Sequence, residues 1–224
     1  MIALRACRDG RLPESEPACS LGPMRHTTLV LCSGIVLGAI IAPALSAQVA
    51  GGRTAEQIRA SYDAHHADFD YLLGDWEFTA VNRQYGTIRG FWSAVRLDDG
   101  QILDEYRVVG DSGQTYYATK TLRAYNAVLD RWDLVSTESG TGLQNVGTGQ
   151  RVGAEMHIEQ RFGVMTPNPS LWRIRYYDIR PDRFSWSADR SPDDGKTWVT
   201  NFQTIEARRI GPPRSLGPLA PAKR

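Results

Sequence analysis

The chain has 224 residues, 42% of them hydrophobic and 9% aromatic, which is enough apolar material for one large all-β domain or two small ones. Its 26 basic and 25 acidic side chains give a net charge of +1, without a block of basic residues. This balance argues against nucleic acid or an anionic membrane surface as the main partner.

The first 47 residues have the pattern of an export signal. Residues 24–47 start with a short basic region, continue with an apolar run over 29–42, and end in Pro43 and small residues. This order is typical of a secretory signal peptide, and the run is shorter than the roughly 20 apolar residues of a membrane span. Residues 1–23 do not fit before a signal peptide, so we interpret them as a mis-assigned start or a disordered segment. We expect a periplasmic or secreted protein with no integral membrane span in its mature form.

The cysteines agree with that division. Cys7, Cys19 and Cys32 all precede the expected cleavage near residue 47, so the mature chain contains none. An exported protein without cysteine cannot use disulfides and depends on its core and its hydrogen-bonded sheet. A thiolate nucleophile and a zinc–thiolate site are excluded as well.

Residues 48–67 are predicted to form a linker and a short N-terminal helix. Thr54 is the expected N-cap, and Gln57 would complete a capping box by reaching back to it. A helix of this length is not stable alone, so we expect it to dock across one end of the domain near Trp76.

From residue 75 onward apolar and polar residues alternate with period two, which indicates β-strands. Short turns rich in Asp, Gly and Pro separate them and indicate an antiparallel meander. Eight to ten such strands usually close into a barrel, since closure removes exposed edges; a two-sheet sandwich is the alternative. Residues 139–153 hold five glycines and are predicted to be a loop or a broken strand. The predicted strands cover about 75–82, 87–97, 101–109, 114–125, 130–138, 151–162, 171–180, 183–189 and 197–208.

The last part of the chain has a different composition. Residues 211–224 contain four prolines and no periodicity, so we predict a disordered tail.

Two motifs carry a family resemblance. The stretch Phe69-Asp70-Tyr71-Leu72-Leu73-Gly74-Asp75-Trp76 and the later Ser191-Pro192-Asp193-Asp194-Gly195-Lys196-Thr197-Trp198 together resemble an exported bacterial family of lipocalin-like (calycin) proteins of unknown function. The resemblance covers about residues 68–210 and implies an all-β, single antiparallel barrel of 8–10 strands.

The resemblance also implies structural roles for individual residues. Gly74 would let the chain enter the first strand, and Trp76 would plug one end of the barrel. An arginine near the end of the last strand packs over this tryptophan in lipocalins, and Arg208 or Arg209 matches that place. A cation–π contact there would be worth roughly 0.5–2 kcal/mol.

Residues 191–198 also fit the Asp-box pattern, a turn motif that recurs on the blades of sialidases. It occurs once here, and no blade repeat accompanies it. We therefore interpret Asp193, Gly195 and Trp198 as structural, with the polar side chains bonding the turn backbone and the indole packing against it.

The strands carry aromatic residues that have two interpretations. They either form a solid core, because small barrels can be filled by their own side chains, or they line a cavity for an apolar or aromatic ligand. The candidate ligand-binding residues are Tyr106, Tyr117, Tyr125, Trp132, Trp186 and Phe202.

Catalytic and metal signals are weak. His65, His66 and His157 lack a metal-ligand spacing, so we expect no metal and no cofactor. The chain has no nucleophile elbow or phosphate-binding glycine loop, and we assign no catalytic residue.

Three functions remain open. The first is a monomeric or weakly dimeric carrier or sensor of a small hydrophobic molecule, which rests on fold analogy. The second is an enzyme, an isomerase or hydrolase, that uses the same cavity. The third is a filled barrel that acts as a structural or interaction module.

Overall fold

The structure is a computed structural model that describes residues 52–217. The predicted signal peptide and the segment before it lie outside the described residues. The helical elements are α1 (Ala55–His65) and a 3-10 turn (Asp70–Leu72). The strands are β1 (Gly74–Asn82), β2 (Gly86–Arg96), β3 (Ile102–Val109), β4 (Thr115–Asn126), β5 (Arg131–Glu138), β6 (Gly142–Val152), β7 (Glu155–Phe162), β8 (Ser170–Tyr177), β9 (Arg183–Ser191), β10 (Val199–Gly211) and β11 (Arg214–Ser215).

Strands β1 to β10 form a closed antiparallel barrel. Each strand pairs with the next in the chain, and β1 pairs with β2 on one side and with β10 on the other. The last strand therefore meets the first, and the sheet has no open edge among these ten strands. The predicted all-β barrel is confirmed, and the two-sheet sandwich is wrong.

Strand β6 is the element that the sequence reading missed. Its glycines face β7 at close range: a Cβ on Gly147 would lie 2.6 Å from the carbonyl oxygen of Glu159. A Cβ on Gly149 would lie 3.0 Å from Cγ1 of Ile158. These glycines are strand residues that let two backbones approach, whereas the sequence alone suggested that they break the strand.

Helix α1 begins as predicted. The Gln57 amide donates to Thr54 Oγ1 at 3.2 Å, and the Thr54 amide donates to Gln57 Oε1 at 2.9 Å, which completes the capping box. The helix docks through the buried Ser61, whose hydroxyl lies 2.7 Å from Tyr125 Oη and donates to Asp130 Oδ1 at 2.6 Å. Over residues 52–217, no helix has the length and apolar character needed to cross a membrane.

The predicted disordered tail is ordered in its first part. Residue 211 ends β10, and the prolines that follow end its pairing because they lack an N–H group. Strand β11 then pairs in parallel with Val95 and Arg96 of β2, and the Leu216 amide donates to the Arg96 carbonyl at 2.8 Å. Residues 218–224 lie outside the described part of the chain.

Candidate functional site

One end of the barrel is closed around Trp76. Its indole is fully buried, packs against Phe184 at 4.8 Å between ring centroids, and donates from Nε1 to the Leu72 carbonyl at 2.8 Å. The 3-10 turn before β1 supplies that carbonyl, so the segment that covers this end is tied directly to the plug.

The arginine over the indole is Arg209. Its guanidinium carbon lies 4.0 Å from the ring centroid of Trp76, and it donates to the carbonyls of Leu73, Tyr71 and Pro181. Burial lowers the pKa of Arg209. Arg208 points outward and pairs with Glu77 at 2.5 Å.

Gly74 has the conformation expected of it. Its φ is +105°, which favours glycine. A Cβ there would lie 2.6 Å from Arg209 Nη1 and 2.7 Å from the Gly211 carbonyl oxygen. Glycine therefore allows the chain to pass close beneath the arginine as it enters β1.

The turn between β9 and β10 is held by its own side chains. Asp193 Oδ1 accepts from the Ser191 hydroxyl and the Thr197 amide, both at 2.8 Å, and Trp198 Nε1 donates to the Gly195 carbonyl at 3.0 Å. Hydrogen bonds from Thr197 lower the pKa of Asp193 to about 2. These contacts agree with a turn-stabilising role for Asp193, Gly195 and Trp198.

The other end of the barrel leads into an interior cavity of about 760 Å³. Its mouth lies at the end of the barrel that carries the turns β1–β2, β3–β4 and β7–β8. Tyr85 and Asn168 in two of these turns and Tyr116 at the start of β4 contribute to the lining. A volume of this size is within the range of small-molecule sites. The barrel interior is therefore not filled by its own side chains.

Four of the six residues predicted to bind a ligand line this cavity: Tyr106, Tyr117, Trp186 and Phe202. Burial raises the pKa of Tyr106. The pKa of Tyr117 is raised to about 12, mainly by burial and to a smaller extent by the nearby negative charge of Glu138. Both phenols therefore stay neutral at physiological pH and can donate hydrogen bonds.

Tyr125 and Trp132 are placed elsewhere. Trp132 packs edge-on against Phe69 at 5.0 Å near the closed end, and Tyr125 bonds Ser61 of the docked helix. Neither contributes to the cavity lining. The alternation of apolar and polar residues along the strands correctly predicts that both side chains face inward. It does not show which end of the barrel a residue occupies.

The cavity has further aromatic residues that the sequence analysis did not select. They are the buried Trp92, Trp172 and Tyr176. All three lie at alternating inward positions of β2 and β8, so the same signal that selected Trp186 could have found them.

A polar surface within the cavity, here called the polar wall, lies along β4 to β8. Thr121 and Ser136 bond each other across two strands at 2.9 Å. The side-chain oxygen of Asn145 is buried and has no hydrogen-bond partner within the described residues. The residues of the polar wall are all buried and all line the cavity; they are Thr119, Thr121, Ser136, Asn145, Gln160 and Ser170.

A buried ion pair forms part of the cavity lining. Arg123 Nε lies 2.5 Å from Asp104 Oδ2, and Trp92 Nε1 donates to Asp104 Oδ1 at 2.8 Å. Burial alone would lower the pKa of Arg123, because it disfavours the charged guanidinium. The negative charge of Asp104 has the larger effect, so the pKa of Arg123 is raised. Arg123 also stacks on Phe69, with its guanidinium carbon 4.7 Å from the ring centroid.

The three histidines that the structure describes lie outside this cavity. His157 sits on the outer barrel surface 2.8 Å from a Glu155 oxygen, and His65 lies 3.0 Å from Asp68. Among the residues that the structure describes, no three His, Cys, Asp or Glu side chains are grouped so as to hold a metal ion.

Comparisons with known proteins do not indicate a function for this chain, so any functional assignment depends on the interior cavity. No protein-family model matches the chain, and a search of the curated proteins finds no match either.

Proposed function

We propose that this protein is an exported lipocalin-like barrel that binds a small, largely apolar or aromatic molecule in its interior. The observation that carries the proposal is the cavity of about 760 Å³, open at one end and lined by large aromatic side chains. Apolar lining with a few placed polar groups is typical of small-molecule sites.

The cavity lining contains one acidic side chain that could take part in catalysis. Asp104 is the one carboxylate among the described lining residues, and both of its oxygens already accept hydrogen bonds, from Arg123 and Trp92. These bonds hold the carboxylate in place and pair it with the Arg123 charge. An isomerase or hydrolase in the same cavity is the alternative, and Asp104 would be its candidate base.

Export remains part of the proposal because of the sequence of residues 24–47. Mass-spectrometric sequencing of the protein secreted or released from its host would place the mature N-terminus near residue 48. Peptides from residues 1–23 in the mature protein would contradict this assignment.

Binding can be tested with a neutral fluorescent probe, N-phenyl-1-naphthylamine, which brightens when it leaves water. We expect saturable binding to the wild-type protein, because the aromatic lining offers an apolar surface that the probe prefers to water. Native mass spectrometry of protein purified from its own host would show any natural ligand that copurifies.

A matched pair of variants makes the test specific for the interior. Thr119→Phe fills the cavity, since Thr119 is buried in its lining. Thr137→Phe adds the same side chain on the exposed outer face of the next strand. Loss of probe binding in the first variant alone supports the proposal. Absent binding in the wild type, or equal binding in both variants, overturns it.

A further inference from the structure

One charged side chain in the cavity has no opposite charge to neutralise it. Arg190 on β9 contributes to the lining near the mouth, and its guanidinium carbon lies 5.1 Å from the ring centroid of Phe202. Within residues 52–217 it forms no ion pair with a carboxylate.

The other charges of the described lining cancel. Arg123 and Asp104 form the buried ion pair, so together they contribute no net charge. Arg190 therefore leaves the cavity with one net positive charge. A partly buried guanidinium beside an apolar surface favours an anionic partner, because an anion accepts charge-assisted hydrogen bonds that no carboxylate of the described lining accepts from it.

Arg190 belongs to a row of inward residues that runs from strand to strand around the cavity wall near the mouth. It lies opposite Trp172 on β8, which lies opposite Gln160 on β7. Asn145 on β6 is a diagonal neighbour of Gln160, because Gly147 is the residue directly opposite. A charged group, an aromatic surface and two buried amides thus follow one another along the wall.

We propose that the ligand is an amphipathic anion whose negatively charged group is held by Arg190 while its apolar body lies against Trp172 and Phe202. This inference rests on the proposed binding function and adds the ligand's charge to it. The acidic group can be a carboxylate, a sulfonate or a phosphate, since all three accept charge-assisted hydrogen bonds from a guanidinium.

Two probes with one skeleton isolate the charge. N-phenyl-1-naphthylamine is neutral, and 1-anilinonaphthalene-8-sulfonate is the same skeleton with one sulfonate. We expect the wild-type protein to bind the sulfonate about tenfold more tightly, the effect of one charge-assisted hydrogen bond. Adding 0.5 M salt should reduce the difference in affinity between the two probes, because salt screens the attraction between the sulfonate and Arg190.

The test variant is Arg190→Gln, and Arg89→Gln removes the same charge from an exposed position of β2. We expect Arg190→Gln to lose the preference for the sulfonate while its affinity for the neutral probe stays within about twofold. Arg89→Gln should keep the wild-type preference. Arg190→Lys retains a positive charge and should keep part of the preference, which separates loss of charge from loss of folding.

The outcomes separate the two proposals. Binding of the neutral probe together with no preference for the sulfonate, or with a preference that survives in Arg190→Gln, overturns the role of Arg190 alone. If neither probe binds, the binding function fails and the role of Arg190 fails with it. Sulfonate binding that Thr119→Phe does not reduce would place the probe on the outer surface and contradict the inference.

Discussion

Arg209 lies directly opposite Trp76 in the β1–β10 ladder, with its guanidinium carbon 4.0 Å from the indole centroid. The same guanidinium bonds the carbonyls of Tyr71 and Leu73 in the segment that covers this end of the barrel. One side chain therefore joins the last strand, the first strand and the covering segment. The closed end should depend on this contact.

Trp76→Ala should lower the free energy of unfolding by about 3–5 kcal/mol, because it removes a fully buried indole and leaves a cavity. Urea denaturation followed by circular dichroism measures the change. Tyr85→Ala, at a side chain that is 70% exposed, should stay within about 0.5 kcal/mol of the wild type. A loss below about 1 kcal/mol for Trp76→Ala would contradict the plug.

Arg208 and Arg209 should differ in how much each contributes to the stability of the fold. Arg209→Met should destabilise by about 1–3 kcal/mol, since three carbonyls lose a charged donor and the indole loses its cation. Arg208→Met should change stability by no more than about 1 kcal/mol, because its pair with Glu77 is exposed. Equal losses in the two variants, measured by chemical denaturation, would argue against the role of Arg209.

The buried pair can be tested by a double-mutant cycle. Asp104→Leu should cost about 3–5 kcal/mol, because it leaves Arg123 buried without a counter-charge. Replacing both residues, as Asp104→Leu with Arg123→Met, should cost much less than the two single changes together. Additive losses would show that the two charges are not coupled.

Docking of α1 should weaken in acid through Asp130. Hydrogen bonds from Ser61 and Tyr125 lower the pKa of this carboxyl to about 2. A lowered pKa means that the stabilisation is fully present above the ordinary value near 4 and is lost as the pH falls toward 2. The carboxylate is half exposed, so we expect an effect below about 1 kcal/mol.

The corresponding variant is Asp130→Asn. Its free energy of unfolding should lie below that of the wild type at pH 6, and the difference should shrink between pH 4 and pH 2. Asp63→Asn, on the exposed face of α1, is the control and should follow the wild type. A difference between Asp130→Asn and wild type that does not vary with pH would contradict this role for the carboxylate.

Some features of the site could not be derived from the sequence. The choice between Arg208 and Arg209 depends on the register of β10 against β1, which shifts between Asp75 and Trp76. The pairing of Asp104 with Arg123 joins residues on two neighbouring strands, and it requires knowing that both side chains face inward. Alternation assigns a residue to one face of a strand, but it does not measure the space beyond that face.

The sequence by itself determined nine of the ten barrel strands, the turns between most of them, the capping box of α1 and the indole at the start of β1. These features depend on local chemistry: side-chain period, turn residues, and hydrogen bonds between residues a few positions apart. Only the tertiary structure decided that Gly147 and Gly149 lie within a strand, that Tyr125 and Trp132 lie outside the cavity, and that Arg190 lines the cavity without a carboxylate partner among residues 52–217. Those outcomes depend on how closely distant strands approach after the barrel closes, and packing between residues far apart in the chain sets that distance.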